Sequence, residues 1–238
     1  MLVKTVGIVL KTYKYSETSI IVKLYTHEYG LLSFMVNGVR KKKPKFSASM
    51  FQVLQILNIE MQYKTKSSLH SIRDLSLSEG IQSVHTNIIK SSIAFFLAEV
   101  IFKTIREEEV NNELFKFLQN SIVFLEESNE NSISNFHIIF LISLSKHLGF
   151  YPKFSDNQYF NIYTGCFENS YNSQHCFDER ESTLFGKLMK LNYSNCQSLN
   201  ISKSERKNLL NNLLLFYRIH LPEMGEIKSL DVLEMVFK

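Results

Sequence analysis

Only three cysteines occur in the 238 residues: Cys166, Cys176 and Cys196. Their odd number and wide spacing read as free thiols in a reducing compartment, not as a disulfide framework. No C-x-x-C pair is present, and the adjacent His175 and Cys176 would make a poor chelate, so no structural metal is expected. Eight glycines form neither a Walker A sequence nor a G-x-G-x-x-G turn, which removes the usual phosphate-cradling loops. G-x-S-x-G and H-E-x-x-H are missing too. His137 and His147 stand ten positions apart, off any shared i, i+4 face, and the acidic run 107–109 reads as a solvated connection. Without a catalytic constellation, the expectation is a protein that is not an enzyme and needs no cofactor. Apolar runs are short as well. The stretch 136–144 contains His137 and falls far below the roughly 20 residues of a membrane span. Lys4, Lys11 and Lys14 interrupt the N-terminal apolar stretch before a signal-peptide core can form. A cytoplasmic protein without a membrane partner is expected.

What is present is charge, unevenly placed. Residues 1–75 hold twelve Lys/Arg against four Asp/Glu, a balance of +8, while residues 76–238 hold fifteen against nineteen, a balance of −4. A sign change of that size suggests two parts with different partners, the basic one facing a polyanion.

The basic part has the two-residue period of β-strands. Val6, Ile8 and Leu10 alternate with Gly7, Val9 and Lys11; Ile20, Val22 and Leu24 with Ile21, Lys23 and Tyr25; Leu32, Phe34 and Val36 with Leu31, Ser33 and Met35. Apolar stretches at 51–63 and 69–75 add two more strands. Turn signals fall between them, with Gly30 suited to a positive φ in a hairpin. Five strands in so short a segment bury a core best by closing into a small barrel, which also removes the sheet edges. An OB-type barrel is the expected topology, with an SH3-like barrel as the second. From Ser78 the apolar period becomes helical, over 84–105, 112–127, 132–148 and 202–221. Gly149 reads as a C-cap, Ser202 and Glu205 as a capping box, and Pro152 and Pro222 as stops. Residues 150–180 are irregular, rich in Asn and aromatics, with a short hairpin near 160–169. The fold class expected is therefore α+β and multidomain: an OB-type barrel over 1–77, then an α-helical bundle over 78–238.

The sharpest local feature is Arg40-Lys41-Lys42-Lys43-Pro44-Lys45, directly after a strand and the Asn37-Gly38 turn. Held on a barrel edge, these cations would bind phosphates and release counterions. A solvated loop is the plain alternative. Lys11, Lys14 and Lys23, with Lys4, Lys64 and Lys66, add to the basic field. Among aromatics that could stack bases (Tyr13, Tyr15, Tyr25, Phe34, Tyr63), Tyr13 and Tyr25 are favoured because they sit beside outward lysines. The candidate nucleic-acid-binding set is thus Arg40, Lys41, Lys42, Lys43, Lys45, Lys11, Lys14, Lys23, Tyr13 and Tyr25.

The order Gly7-Ile8-Val9-Leu10, Tyr15-Ser16-Glu17, Leu24-Tyr25-Thr26, Tyr29-Gly30-Leu31 and Gly38-Val39-Arg40 followed by lysines resembles the RecO recombination mediators of bacteria. The helix exit Leu148-Gly149-Phe150-Tyr151-Pro152 agrees with it. The resemblance implies binding of single- and double-stranded DNA, annealing of complementary strands, and a nucleoid-associated role in repair. It implies partners too: RecR, the acidic C-terminal tail of single-strand-binding protein, and RecA indirectly. Many members carry a four-cysteine zinc module about where residues 158–180 lie. Here 160–167 has only Cys166, so the metal does not carry over. A non-enzymatic scaffold and an RNA-binding OB module are the alternative functions.

Overall fold

Alternating apolar residues carry the chain through five strands: β1 (Leu2–Lys14), β2 (Ile20–Thr26), β3 (Gly30–Val36), β4 (Ile56–Gln62) and β5 (His70–Leu77). The computed structural model describes residues 1–65, 67–105 and 110–237, so Lys66 and the acidic run 107–109 lie outside the described residues. The strands close in the order β1-β2-β3-β5-β4, with β4 returning to β1. Neighbours are antiparallel except β3 and β5. This is the expected closed barrel, which leaves no open edge to pair with another chain. Val9, Val22, Leu24, Phe34, Leu57, Ile59 and Met61 are among the residues filling its interior. Gly30 turns the β2–β3 hairpin at φ 64°, a conformation that a side chain would strain.

Two departures from simple alternation shape the surface. Ile8, Val9 and Leu10 are all buried, because helices cover the outside of the barrel here. The register of β1 against β2 then slips between Val9 and Lys11, so Leu10 is an extra residue. Val9 faces inward, and two positions later Lys11 faces outward instead of repeating it. The stretch expected as one strand over 51–63 begins pairing only at Ile56. Ahead of it lie a 3₁₀ turn (Ala48–Phe51) and Leu54 at φ 61°. Leu54 N–H donates to the Val9 carbonyl and Val9 N–H to that of Gln55, which ties the turn to the bulged strand.

The chain divides into two compact units, Met1–Glu126 and Glu127–Lys238. The first contains the barrel with α1 (Ser83–Thr86), α2 (Ile88–Thr104) and nearly all of α3 (Asn112–Glu127). Asn87 splits the helix expected over 84–105, because its side chain accepts from Ile89 and Lys90 N–H and starts α2 afresh. Glu126 accepts from the Ser83 and Val84 N–H groups (2.8 and 2.9 Å), and the buried Lys90 ammonium donates to its carbonyl.

The second unit contains α4 (Phe136–His147), the hairpin β6 (Tyr159–Asn161) and β7 (Cys166–Glu168), α5 (Glu179–Met189), α6 (Lys203–His220) and α7 (Leu230–Val236). The end of α4 is a Schellman turn: Gly149 has φ 85°, its N–H meets the Lys146 carbonyl, and Phe150 N–H meets that of Ser145. The Ser202–Glu205 capping box is formed. The helices α5 and α7 were not expected. Between α4 and α5, the buried Phe160 packs against Phe167, Phe177, Phe185 and Phe216, with ring centres 4.6–5.5 Å away.

Candidate nucleic-acid interface

The β1 bulge re-aims the second half of that strand, and the candidate site follows from it. Lys11 comes to stand opposite Lys23, and Lys23 opposite Ser33; one step further, Tyr13 faces Ile21, and Ile21 faces Met35. The Lys23 ammonium donates to Ser33 Oγ (2.5 Å). The Lys11 ammonium lies 5.0 Å from the centre of the Tyr13 ring and 5.1 Å from that of Phe102 on α2. Like charges directly across a strand pair repel. No carboxylate among the described residues forms a salt bridge with either lysine. An external anion would relieve the repulsion.

The basic loop reaches the same end of the barrel. Tyr15 and Ser16 N–H groups turn back onto the Ser19 carbonyl, and Arg40 N–H approaches that of Thr18 (3.4 Å). Lys14, Tyr15 and Arg40 therefore share the mouth formed by the β1–β2 turn. Buried Val39 and Phe46 pin the loop on either side of the charges. Lys41 N–H bonds to the Gly38 carbonyl, and Lys45 donates to the Arg73 carbonyl with its ammonium 4.9 Å from the Phe46 ring. Between these anchors Arg40, Lys41, Lys42 and Lys43 are exposed, as is Lys45.

Another part of the barrel surface has the other sign. Glu28, Glu60 and Asp74, with Lys4, line an open depression of about 460 Å³ across β1, β4 and β5. Lys4 stands opposite Glu60 in the β1–β4 register, and Glu60 is paired with Arg73 (3.8 Å). Burial pushes the Glu28 carboxyl up, but hydrogen bonds from Thr5 and His27 and the charge of His27 outweigh it and hold it below its ordinary value. The basicity of residues 1–75 is thus concentrated at one end. Counted by compact unit, the balance is +5 for residues 1–126 and −1 for 127–238, because carboxylates between 79 and 126 belong to the barrel's unit.

One aromatic candidate needs correction. Tyr25 does face outward, but α3 covers it: it is 1% exposed, stacks on Phe115 (6.1 Å), and its hydroxyl lies 3.5 Å from the Asn111 carbonyl. Burial raises its pKa to about 12. No base can reach that ring. Phe34 lies inside the barrel, and Tyr63 stacks half-buried on His70. Tyr13 and Tyr15 are the exposed ones, at 39% and 63%. Phe102, outside the set of candidate aromatics, joins Tyr13 through Lys11; its helical spacing gives no hint of a partner on β1.

The insert does not fit the zinc implied by the resemblance. Asn161 pairs with Cys166 on one side and Cys176 on the other, so a strand's backbone lies between the two cysteines and their own backbones are about two strand spacings apart, roughly 9.5 Å. Asn161 Oδ1 accepts from Tyr163 and Thr164 N–H, and its amide donates to both Glu168 oxygens. Among the described residues, no three His, Cys, Asp or Glu side chains group to hold a metal.

A closed five-stranded barrel with a pinned basic loop and exposed aromatics at one end is the architecture of OB-type strand-binding proteins. Residues 1–81 match the family described as Recombination protein O N terminal, and residues 85–231 match Recombination protein O C terminal. Over 241 residues the chain is 37% identical to the DNA repair protein RecO of Phocaeicola vulgatus, and over 240 residues 35% identical to that of Christiangramia forsetii. The DNA repair protein RecO of Bacteroides fragilis is 37% identical over 242 residues; all three alignments cover 100% of both chains. The chain belongs to the RecO family, and with it to DNA repair. Among the described residues no helix is long and apolar enough to cross a membrane.

Proposed function

We propose that the chain is a recombination mediator that holds single- and double-stranded DNA on the basic end of its barrel and anneals complementary strands. The observation that carries this reading is the return of the pinned 40–45 loop to the β1–β2 turn beside Lys14 and Tyr15, with Lys11, Lys23 and Tyr13 further along the outer face of the same two strands. Cations there neutralise phosphates and lower the repulsion between two strands, so pairing proceeds without nucleotide hydrolysis. The protein binds and positions; it breaks no covalent bond.

The second unit supplies a place for a protein tail. A pocket of about 200 Å³ between α4, α6 and α7 has Leu210, Leu233 and Phe237 on its walls; Lys203 and Arg206 stand beside it, while Lys207, also at its rim, is paired with Glu234 (2.7 Å). Burial, and then the charge of Arg206, lowers the His137 pKa to about 3, so its imidazole adds an uncharged wall. Apolar walls with cations around them suit the acidic C-terminal tail of single-strand-binding protein. Holding that tail, together with RecR, would bring the barrel to coated DNA and clear it for RecA.

The test is annealing of complementary oligonucleotides with and without single-strand-binding protein, across a salt series. Acceleration at low salt that persists on coated strands supports the mediator reading. No acceleration at low salt refutes it. Tighter binding of RNA than of single-stranded DNA of equal length would reassign the barrel to RNA.

A further inference from the structure

Ile88, Phe95 and Phe102 recur every seven residues along α2, so they form one ridge with steps of about 10.5 Å. Ile88 is 72% exposed and Phe95 55%. A row of large apolar side chains in water marks a binding surface more often than a single exposed one does. The ridge runs into the barrel mouth at Phe102, where the Lys11 ammonium approaches the rings of both Phe102 and Tyr13. One cation therefore links an aromatic of β1 to an aromatic of α2.

We infer that a single strand leaves the barrel along α2, with unpaired bases stacked on Phe102 and Phe95 and phosphates held by Lys11 and Lys23. This rests on the DNA reading and narrows it to strands whose bases are unstacked, since bases inside a duplex already cover one another's faces. A ridge with seven-residue spacing would also suit a partner helix. Charge favours the strand. The ridge begins at Lys11 and Lys23, which have no carboxylate partner among the described residues, while Lys103 and Glu99 beside it cancel (3.1 Å). Aromatic rings next to uncompensated cations are what a polyanion with exposed bases requires.

The chain has no tryptophan, so Phe95→Trp creates a single fluorescent reporter in the full-length protein. Tyr13→Trp serves as the reporter at the barrel mouth, and anisotropy of a labelled oligo(dT) reports binding itself. The Phe95→Trp emission should be quenched by oligo(dT) with the anisotropy midpoint, and not by a duplex of equal length. Phe95→Ala should weaken oligo(dT) binding about 5- to 150-fold, the range for losing one stacked base, with the salt dependence and duplex binding unchanged. Quenching at Tyr13→Trp but not at Phe95→Trp overturns the ridge and leaves the barrel reading standing. No anisotropy change with any DNA overturns both. Equal losses of single-strand and duplex binding in Phe95→Ala, or loss of self-association without a DNA effect, also overturns it and assigns the ridge to another contact.

Discussion

Replacing Lys41, Lys42 and Lys43 together by Gln removes three charges from the centre of the basic loop and leaves its anchors in place. The Lys41 N–H bond to Gly38 is a backbone bond, and Val39, Phe46 and the Lys45 contact with Arg73 are untouched. All three side chains are exposed, so thermal stability should stay close to that of the parent. If each lysine neutralises one phosphate, the slope of log affinity against log salt falls by about 2 for a single strand and about 2.7 for a duplex. Between 50 and 200 mM salt the parent would then lose about 20-fold more single-strand affinity than the variant, and about 40-fold more duplex affinity. Anisotropy titrations at four or five salt concentrations measure both slopes. Parallel lines for parent and variant would refute the reasoning, because they would mean that the three lysines meet only solvent.

Two other outcomes are expected. Tyr13→Ala should weaken single-strand binding by about 1–3 kcal/mol, as for one stacked base, whereas Tyr25→Phe should leave it unchanged; a DNA effect at Tyr25 in the same titration would contradict its burial beneath α3. Burial pushes the Glu126 carboxyl up, but its bonds from Ser83 and Val84 N–H prevail and hold it below the ordinary 4.5. Its stabilisation is therefore complete above that value and disappears as the pH falls through the lowered one. Glu126→Gln should be less stable than the parent in urea at pH 7, with a gap that narrows towards acid; a gap independent of pH would refute the assignment.

The barrel was legible because its strands keep a two-residue period for most of their length, and a strand's facing is fixed by that period. The helix ends were legible where a cap writes itself in residue types, as at Gly149 and Ser202. What escaped depended on contacts between distant elements. Nothing in the residues 8–11 marks Leu10 as the bulged position, yet that one residue decides that Val9 faces the core while Lys11, read on the same face, points outward. Tyr25 does sit beside an outward lysine, as read, but whether an outward ring meets water depends on where α3 lies, and Phe115 lies over it. Phe102 escaped for the same reason in reverse: its role comes from the Lys11 ammonium of another element. The loop 40–45 needed no such knowledge, since five cations in six residues leave little choice but exposure.

The insert poses the opposite problem: the resemblance implies a zinc module at this place in many members, and the residues here do not fit one. Small irregular segments without metal or disulfide need a core of their own. Phe160 provides one: it is fully buried, touches four other phenylalanines drawn from β7, the approach to α5, α5 itself and α6, and its N–H is held by the Ser182 hydroxyl (2.9 Å). Around it, Asn161, Thr164 and Glu168 close the hairpin by hydrogen bonds. If this aromatic cluster does the work of the metal, Phe160→Ala should cost about 3–5 kcal/mol, the usual range for emptying a buried phenylalanine site. A chelator should then leave the urea midpoint of the parent unchanged. A cost below about 1 kcal/mol would show that the site collapses without consequence. A midpoint that drops with chelator would show that metal, not ring packing, holds the segment, and the reading of Asn161 and Glu168 as its closure would have to be abandoned.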